Sequence, residues 1–135
     1  MTSGNAGQRV AAVTILVRDY DEAILWFTAA LRFRLVADTP LDGGKRWVLV
    51  AAPDDASTRL LLAEAADAEQ RATIGRQAGG RVFLFLETDD FARDQAAMCA
   101  AGVRFHEEPR REAYGTVAVF EDLYGNRWDL IEPKL

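Results

Sequence analysis

The sequence predicts an α+β fold in which two tandem βαβββ units form a curved, eight-stranded mixed sheet with helices outside and a central cavity. Two internal echoes favour this repeat. Residues 59–65 (RLLLAEA) resemble residues 127–133 (RWDLIEP), and residues 16–23 (LVRDYDEA) correspond to residues 86–93 (LETDDFAR) at the opening of a second helix. In the first echo, identical residues recur at a constant offset of 68: Arg59 and Arg127, Leu62 and Leu130, Glu64 and Glu132.

The first unit has the order strand, helix, strand, strand, strand. Its first strand is rich in β-branched residues, and Asp19 or Asp21 can cap the helix that follows. Ile24, Phe27 and Leu31 are three and four residues apart, so they share one helix face. The predicted elements are strand 10–17, a helix ending near Leu31, and strands 33–37, 46–51 and 58–63, with turns at 42–44 and 53–55.

The second unit repeats this order. Gly102 is suited to the left-handed conformation that ends many helices. Between the units, the alanine-rich segment 64–77 predicts a short surface helix, and Gly79 with Gly80 predicts a hinge after it. The predicted elements of the second unit are strand 81–87, helix 90–101, and strands 103–106, 116–121 and 127–131.

These elements make up one domain. A chain of 135 residues that is 50% hydrophobic and 27% charged is long and apolar enough to bury a core. Residues 1–8 are small and polar and are expected to form a disordered tail before a domain at 9–135. Within that domain, we assign unit one to about 10–65, the linker to 66–80 and unit two to 81–135.

Charge and composition exclude several functions. The 16 basic residues are scattered among 21 acidic ones, and the net charge is −5, so no basic stripe is available for nucleic acid. The single cysteine excludes an internal disulfide, and the amino terminus lacks the pattern of a signal peptide. No apolar run reaches the roughly 20 residues that span a bilayer. We therefore predict a cytoplasmic protein without nucleic-acid or membrane partners.

Two βαβββ units, the helix opening at 17–23 (VRDYDEA) and the ending at 122–132 (DLYGNRWDLIE) together resemble the vicinal oxygen chelate superfamily. This group includes glyoxalase I, the bleomycin resistance proteins and the extradiol dioxygenases. The resemblance covers about residues 10–134. It implies the fold given above and a homodimer in which each copy completes the hollow of its neighbour. It does not imply one function, because members of the superfamily catalyse different reactions or none.

The resemblance also implies where a metal would be held. In metal-dependent relatives, His, Glu or Gln side chains on the first and last strands of each unit converge on a divalent cation. The matching positions here are Ala12, Leu61, Phe83 and Asp129, and only Asp129 can donate an oxygen. A cation needs at least three protein ligands to be held usefully, so the usual metal site is expected to be lost. We predict no cofactor.

Six residues are candidates for a ligand pocket. Phe83, Phe85 and Glu87 alternate along one strand and are expected to share a face directed into the hollow. Asp129 lies between core residues and points the opposite way; its alternative role is an internal ion pair with Arg127 or another arginine. An apolar, aromatic box with a carboxylate in its wall suits a flat or cationic organic molecule. The predicted ligand-binding residues are Trp47, Phe83, Phe85, Glu87, Tyr114 and Asp129.

The remaining reactive side chains favour structural roles. His106, the single histidine, lies beside Glu107 and Glu108 and is expected to be solvent-exposed in an acidic turn. Cys99 lies among alanines in a predicted helix and is expected to be a buried, inert thiol. The turn at 124–126 is expected to be structural.

Two functions remain open at this point. The first is a metal-free binding protein that encloses a small organic ligand, as the drug-sequestering relatives do. The second is a metal-dependent lyase or dioxygenase of the glyoxalase type, with a divalent metal held in an altered way. The missing metal ligands favour the first.

Overall fold

The computed structural model describes residues 7–54 and 58–134, and it contains two βαβββ units joined by a helical linker. Each unit has one long helix and four strands. The predicted α+β class and the tandem repeat are confirmed. The elements are β1 (Ala12–Val17), α1 (Tyr20–Ala30), β2 (Arg34–Pro40), β3 (Arg46–Ala51), β4 (Arg59–Glu64), α2 (Ala68–Thr73), β5 (Val82–Glu87), α3 (Phe91–Ala100), β6 (Arg110–Glu112), β7 (Gly115–Glu121) and β8 (Arg127–Pro133).

The eight strands form two four-stranded sheets that are equivalent to each other. Sheet one has the order β1-β4-β3-β2 and sheet two the order β5-β8-β7-β6. In both, the first strand of the unit pairs in parallel with the last strand, and the other neighbours are antiparallel. The repeat inferred from sequence therefore extends to the pairing of every strand.

Both long helices begin where the sequence predicts. The Asp19 carboxylate accepts a hydrogen bond from the backbone N–H of Glu22, and the Asp90 carboxylate accepts one from Arg93, so each aspartate caps its helix. Gly102 follows α3 with a φ of 89°, the left-handed conformation expected of it. The linker contains the predicted short helix, confined to α2.

One face of each sheet, here called the covered face, is buried against helices and against the other unit. Phe27 of α1 has its ring centroid 6.1 Å from that of Trp128 on β8, so the two units share one core. A cleft of about 420 Å³ is lined by residues of both sheets. Most of them belong to the covered faces, and Phe85 and Glu87 on the edge strand β5 also line it. The strand residues are Val13, Val50 and Leu60 of sheet one and Leu84, Phe85, Leu86, Glu87 and Trp128 of sheet two.

The opposite face of each sheet is here called the open face. Trp47 on the open face of sheet one is 44% exposed, and Phe85 on that of sheet two is 65% exposed. Each open face therefore leaves an aromatic side chain exposed, and neither of the two main clefts among the described residues is lined by Trp47 or Asp129.

The predicted strand 103–106 is wrong. Phe105 makes an isolated bridge to Phe120, and the edge strand β6 forms later, at Arg110–Glu112. The Glu107 carboxylate, rather than a backbone carbonyl, accepts the hydrogen bond of the Val119 N–H, and this side-chain contact replaces a rung of the ladder.

One further expectation is wrong, and two others fall partly outside the described residues. Cys99 is exposed on α3 rather than buried, because the buried side of that helix is formed by Phe91 and Met98. The predicted disordered tail falls largely on residues 1–6, and Asp55 of the predicted turn 53–55 falls in the second gap, so both lie outside the described residues. Within the described part of the chain, no helix is long and apolar enough to cross a membrane.

Candidate functional site

The open face of sheet two contains a carboxylate in an apolar row. Asp129 on β8 pairs with Phe85 on β5 and with Val119 on β7, so these three side chains lie side by side. Phe85 is exposed, whereas Asp129 and Val119 are half-buried. This row, here called the Asp129 row, puts one acidic group between an aromatic ring and an aliphatic side chain.

One oxygen of this carboxylate has no partner. Asp129 Oδ1 is sealed from solvent, and no described residue donates a hydrogen bond to it. The internal ion pair considered from sequence is therefore absent among residues 7–54 and 58–134. A buried acceptor left unpaired costs about 1–3 kcal/mol, so a group that supplied a hydrogen would be favoured here.

Burial is also what sets the proton affinity of Asp129. Loss of solvent raises the pKa of this carboxyl above its ordinary value. The nearby guanidinium of Arg110 acts in the opposite direction and lowers the pKa, while the Glu107 carboxylate raises it further. Asp129 is therefore an acceptor that binds a proton, or another hydrogen-bond donor, more readily than an exposed aspartate does.

Arg110 lies on the same open face and is held by two glutamates. Its Nε donates to both oxygens of Glu107, at 3.0 and 3.1 Å, and its Nη1 donates to Glu112 Oε2 at 2.6 Å. This cluster was not predicted from the sequence. Its only sequence signal is the concentration of acidic and basic residues in the run 107–112 (EEPRRE).

The predicted pocket residues divide between the two open faces. Phe85, Glu87 and Asp129 lie on sheet two, where Glu87 pairs with Ile131 one pleat beyond the Asp129 row. Tyr114 is exposed in the turn between β6 and β7. Trp47 alternates with buried Val48 on β3 and belongs to the open face of sheet one. The chain thus brings three of the six together and keeps Trp47 apart.

Phe83 departs from the expected alternation. The pairing of β5 with β8 shifts between Val82 and Leu84, so Phe83 occupies a bulge. It is half-buried and packs against the core cluster, whereas Phe85 is exposed on the open face. The two rings therefore have different surroundings, because the bulge interrupts the period of two on which the expectation was based.

A second cleft contains one residue of this site. It has a volume of about 1250 Å³ and is formed by the end of α1, the start of α3 and residues 132–134. Glu87 lines this cleft at the end of β5, but the other five predicted pocket residues do not. Its presence does not bring the candidate residues closer together.

Asp129 is the single carboxylate among the positions that match a metal site. The strand neighbours of Leu61 and Asp129 are Thr14 and Phe85, and Ala12 and Phe83 lie two residues earlier on the same strands. None of these four residues adds a carboxylate or an imidazole. No group of three or more His, Cys, Asp or Glu side chains that could hold a metal occurs within 7–54 and 58–134. These residues do not fit a metal held in the manner of metal-dependent relatives.

His106 is exposed, as expected, but it is not isolated. Its Nε2 lies 2.6 Å from Glu121 Oε1, on the neighbouring strand β7.

The turn at 124–126 has a structural role, as expected. Asp122 is buried, accepts hydrogen bonds from the backbone of Tyr124 and Asn126, and accepts one from the Trp128 indole at 3.0 Å.

Comparison with known proteins places the chain among relatives of one family. The profile of the Glyoxalase/Bleomycin resistance protein/Dioxygenase superfamily matches residues 9–130. A protein of Shewanella frigidimarina is 51% identical over 126 residues, which are 93% of each chain. The protein YurT of Bacillus subtilis is 28% identical and aligns with 92% of this chain and 98% of its own.

Solved structures of proteins with similar sequences have a similar fold. The crystal structure of UcmS2 is 29% identical, covers 93% of this chain and 98% of its own, and has a TM-score of 0.80. The crystal structure of TnmS3, described as an antibiotic binding protein from Streptomyces sp. CB03234, is 29% identical with a TM-score of 0.75. That comparison covers 96% of this chain and 98% of TnmS3.

Proposed function

The chain belongs to the Glyoxalase/Bleomycin resistance protein/Dioxygenase superfamily, and we propose that it is a binding protein for a small organic molecule. The ligand contacts the Asp129 row of sheet two and donates a hydrogen bond to Asp129. The observation that carries this proposal is the unpartnered, buried Oδ1 of that carboxylate. The similarity to TnmS3 along nearly the whole chain supports it.

The surroundings of Asp129 indicate the chemistry of the ligand. Phe85 offers an exposed aromatic face beside the carboxylate, and Val119 offers an aliphatic one. An aromatic ring and a negative charge both attract cations, and a flat ring system can stack on Phe85. We therefore expect a flat molecule that carries a protonated amine or another strong donor.

We propose that binding needs no metal. The four positions that match a metal site contain one carboxylate, and the others are apolar side chains (Ala12, Leu61 and Phe83). Elemental analysis of protein purified without chelator is expected to give well under one equivalent of zinc, nickel, iron or manganese. Near-stoichiometric metal that is lost in Asp129→Ala would instead support a metal-dependent lyase or dioxygenase.

We further propose that the protein is a homodimer. In one chain, each open face carries an exposed aromatic side chain, Trp47 or Phe85. In a two-fold symmetric dimer, sheet one of each copy would lie over sheet two of the other. Trp47 of one copy would then reach the Asp129 row of the other, and the open faces of both copies would be covered. Light scattering is expected to return twice the chain mass of 14.9 kDa. A monomer at micromolar concentration would contradict this.

Ligand binding can be tested with acridine orange, a flat aromatic cation. We expect it to quench tryptophan fluorescence, and we expect Asp129→Asn to weaken its binding by about 1–2 kcal/mol, the scale of one partly desolvated charged contact. Trp47→Phe should remove most of the signal if the dimer forms as proposed. Glu69→Gln on α2 is the matched control, because it removes one exposed carboxylate that is not part of sheet two. Equal affinity in Asp129→Asn and Glu69→Gln would refute the proposal.

A further inference from the structure

Arg110 and Asp129 lie on the same face of sheet two, yet no hydrogen bond or ion pair joins them among the described residues. Arg110 pairs with Val117 on β7, and Asp129 pairs with Val119, two residues along that strand, so a single strand separates them. The guanidinium also lowers the pKa of the Asp129 carboxyl. A bidentate pair between arginine and carboxylate is a strong contact, and here it would also satisfy the orphan Oδ1. The structure must therefore contain something that holds Arg110 elsewhere.

Two glutamates hold it. Both carboxylate oxygens of Glu107 accept hydrogen bonds from the Arg110 Nε–H, and Glu112 Oε2 accepts one from Nη1 at 2.6 Å. These bonds raise the pKa of the guanidinium, so Arg110 remains charged within the cluster. The guanidinium is thus compensated by two carboxylates before it can reach a third.

The position of this cluster is fixed on the sheet. Glu107 Oε2 also accepts a hydrogen bond from the backbone N–H of Val119 at 3.0 Å, and Val119 is the direct cross-strand neighbour of Asp129. Arg110 itself pairs with Val117, two residues along the same strand. Glu107 therefore anchors the guanidinium to the strand beside Asp129 while keeping it off the carboxylate.

We infer that Glu107 and Glu112 are positioning residues that keep Arg110 away from Asp129, and that they leave this carboxylate free to receive the donor group of a cationic ligand. The inference rests on the proposed ligand role of Asp129. It adds a determinant of specificity, because an Asp129 neutralised by Arg110 would no longer select for a cation. The glutamates need not touch the ligand.

The contact itself can be tested without any ligand, in the double variant Glu107→Gln/Glu112→Gln. Amide side chains keep the size of the glutamates but compensate the guanidinium poorly, so Arg110 should move onto Asp129. Hydrogen exchange of the Arg110 Nε–H, followed by NMR, reports its partner. When both glutamates are present, Asp129→Asn should not change the protection of the Arg110 Nε–H from exchange. When both are replaced by glutamine, adding Asp129→Asn should abolish that protection.

Affinity for acridine orange is the second measurement. The double variant should bind it less tightly by on the order of fivefold, the scale of one partly exposed ion pair. Glu108→Gln is the matched control for simple loss of charge, because it removes a neighbouring glutamate that makes no bond to Arg110 among the described residues. We expect that control to keep most of the affinity.

The outcomes separate the two proposals. If Arg110 protection in the double variant does not depend on Asp129, or if Glu108→Gln weakens binding as much as the double variant does, the positioning role is wrong. If Arg110 moves as expected but Asp129→Asn leaves affinity for the dye unchanged, the positioning contact stands and the proposed ligand site is wrong.

Discussion

The two units use the same residue for the same structural task at one position and differ in chemistry at another. Glu64 Oε2 accepts a hydrogen bond from the backbone N–H of Tyr20 at 3.3 Å, and Glu132 Oε1 accepts one from Phe91 at 2.7 Å. Tyr20 and Phe91 are the first residues of α1 and α3. Each glutamate therefore ties the end of its last strand to the start of its own helix.

Three residues before these glutamates, the equivalence ends. Sheet one has Leu61 between Thr14 and Leu49, whereas sheet two has Asp129 between Phe85 and Val119. Leu61 adds a side chain to an apolar surface, while Asp129 adds a carboxylate whose burial is uncompensated. The glutamates that are identical in the two units thus maintain the fold, and the candidate site lies where one unit has diverged.

The largest expected loss of stability comes from disrupting the shared core at a residue of unit two. Trp128 is 2% exposed, contacts Phe27 of unit one, and donates its indole N–H to Asp122. Trp128→Ala should cost about 3–5 kcal/mol of unfolding free energy, measured by urea denaturation.

The matched change in unit one is Leu60→Ala, since Leu60 holds the equivalent position. It should cost less, about 2–3 kcal/mol, because it removes a smaller side chain and no hydrogen bond. If the two variants lost equal stability, Trp128 would not join the units in the way that its contacts indicate.

The next effect tests the shared structural role of the two glutamates. Glu132→Ala should lower stability by about 1–2 kcal/mol, because it removes a charged acceptor from the first N–H of α3. Glu64→Ala should have a smaller effect in the same direction, since its hydrogen bond is longer and Glu64 is exposed. Urea denaturation measures both. A larger loss in Glu64→Ala would mean that the roles are not equivalent.

Much of the fold could be predicted because its signals are local. The cap at Asp19, the helix start at Asp90 and the left-handed Gly102 depend on a few neighbouring residues, and the structure contains all three. The strand at 103–106 failed for a reason that is not local. Glu107 and Val119 are twelve positions apart, and the hydrogen bond that displaces the edge strand joins them.

The site could be predicted only in part, for a similar reason. A carboxylate between core residues identified Asp129, since strand alternation directs it away from Trp128. Alternation could not reveal the bulge at Phe83, which depends on how β5 pairs with β8. Nor could it reveal the bonds of Arg110, because the position of that short edge strand was not visible in the sequence.

The smallest expected effect concerns the loss of folding stability caused by the ionised Asp129 carboxylate. Burial raises the pKa of its carboxyl in the folded state, so between the ordinary pKa and the raised one the folded protein binds more protons than the unfolded chain. The ionised carboxylate therefore destabilises the protein at neutral pH, and this loss fades as the pH falls through that window. Asp129→Asn should gain less than about 1 kcal/mol at pH 7, since the residue is partly exposed.

The pH dependence distinguishes this cause from a simple change in packing. Urea denaturation of Asp129→Asn and of the unchanged protein should give a stability difference that narrows on acidification and is lost below the ordinary pKa of aspartate, about 3.9. The raised pKa of buried Asp122 is present in both proteins and cancels in the difference. A pH-independent difference would contradict the explanation. If the expected one is observed, the change that weakens ligand binding also stabilises the fold, as is common where a polar group is kept for binding.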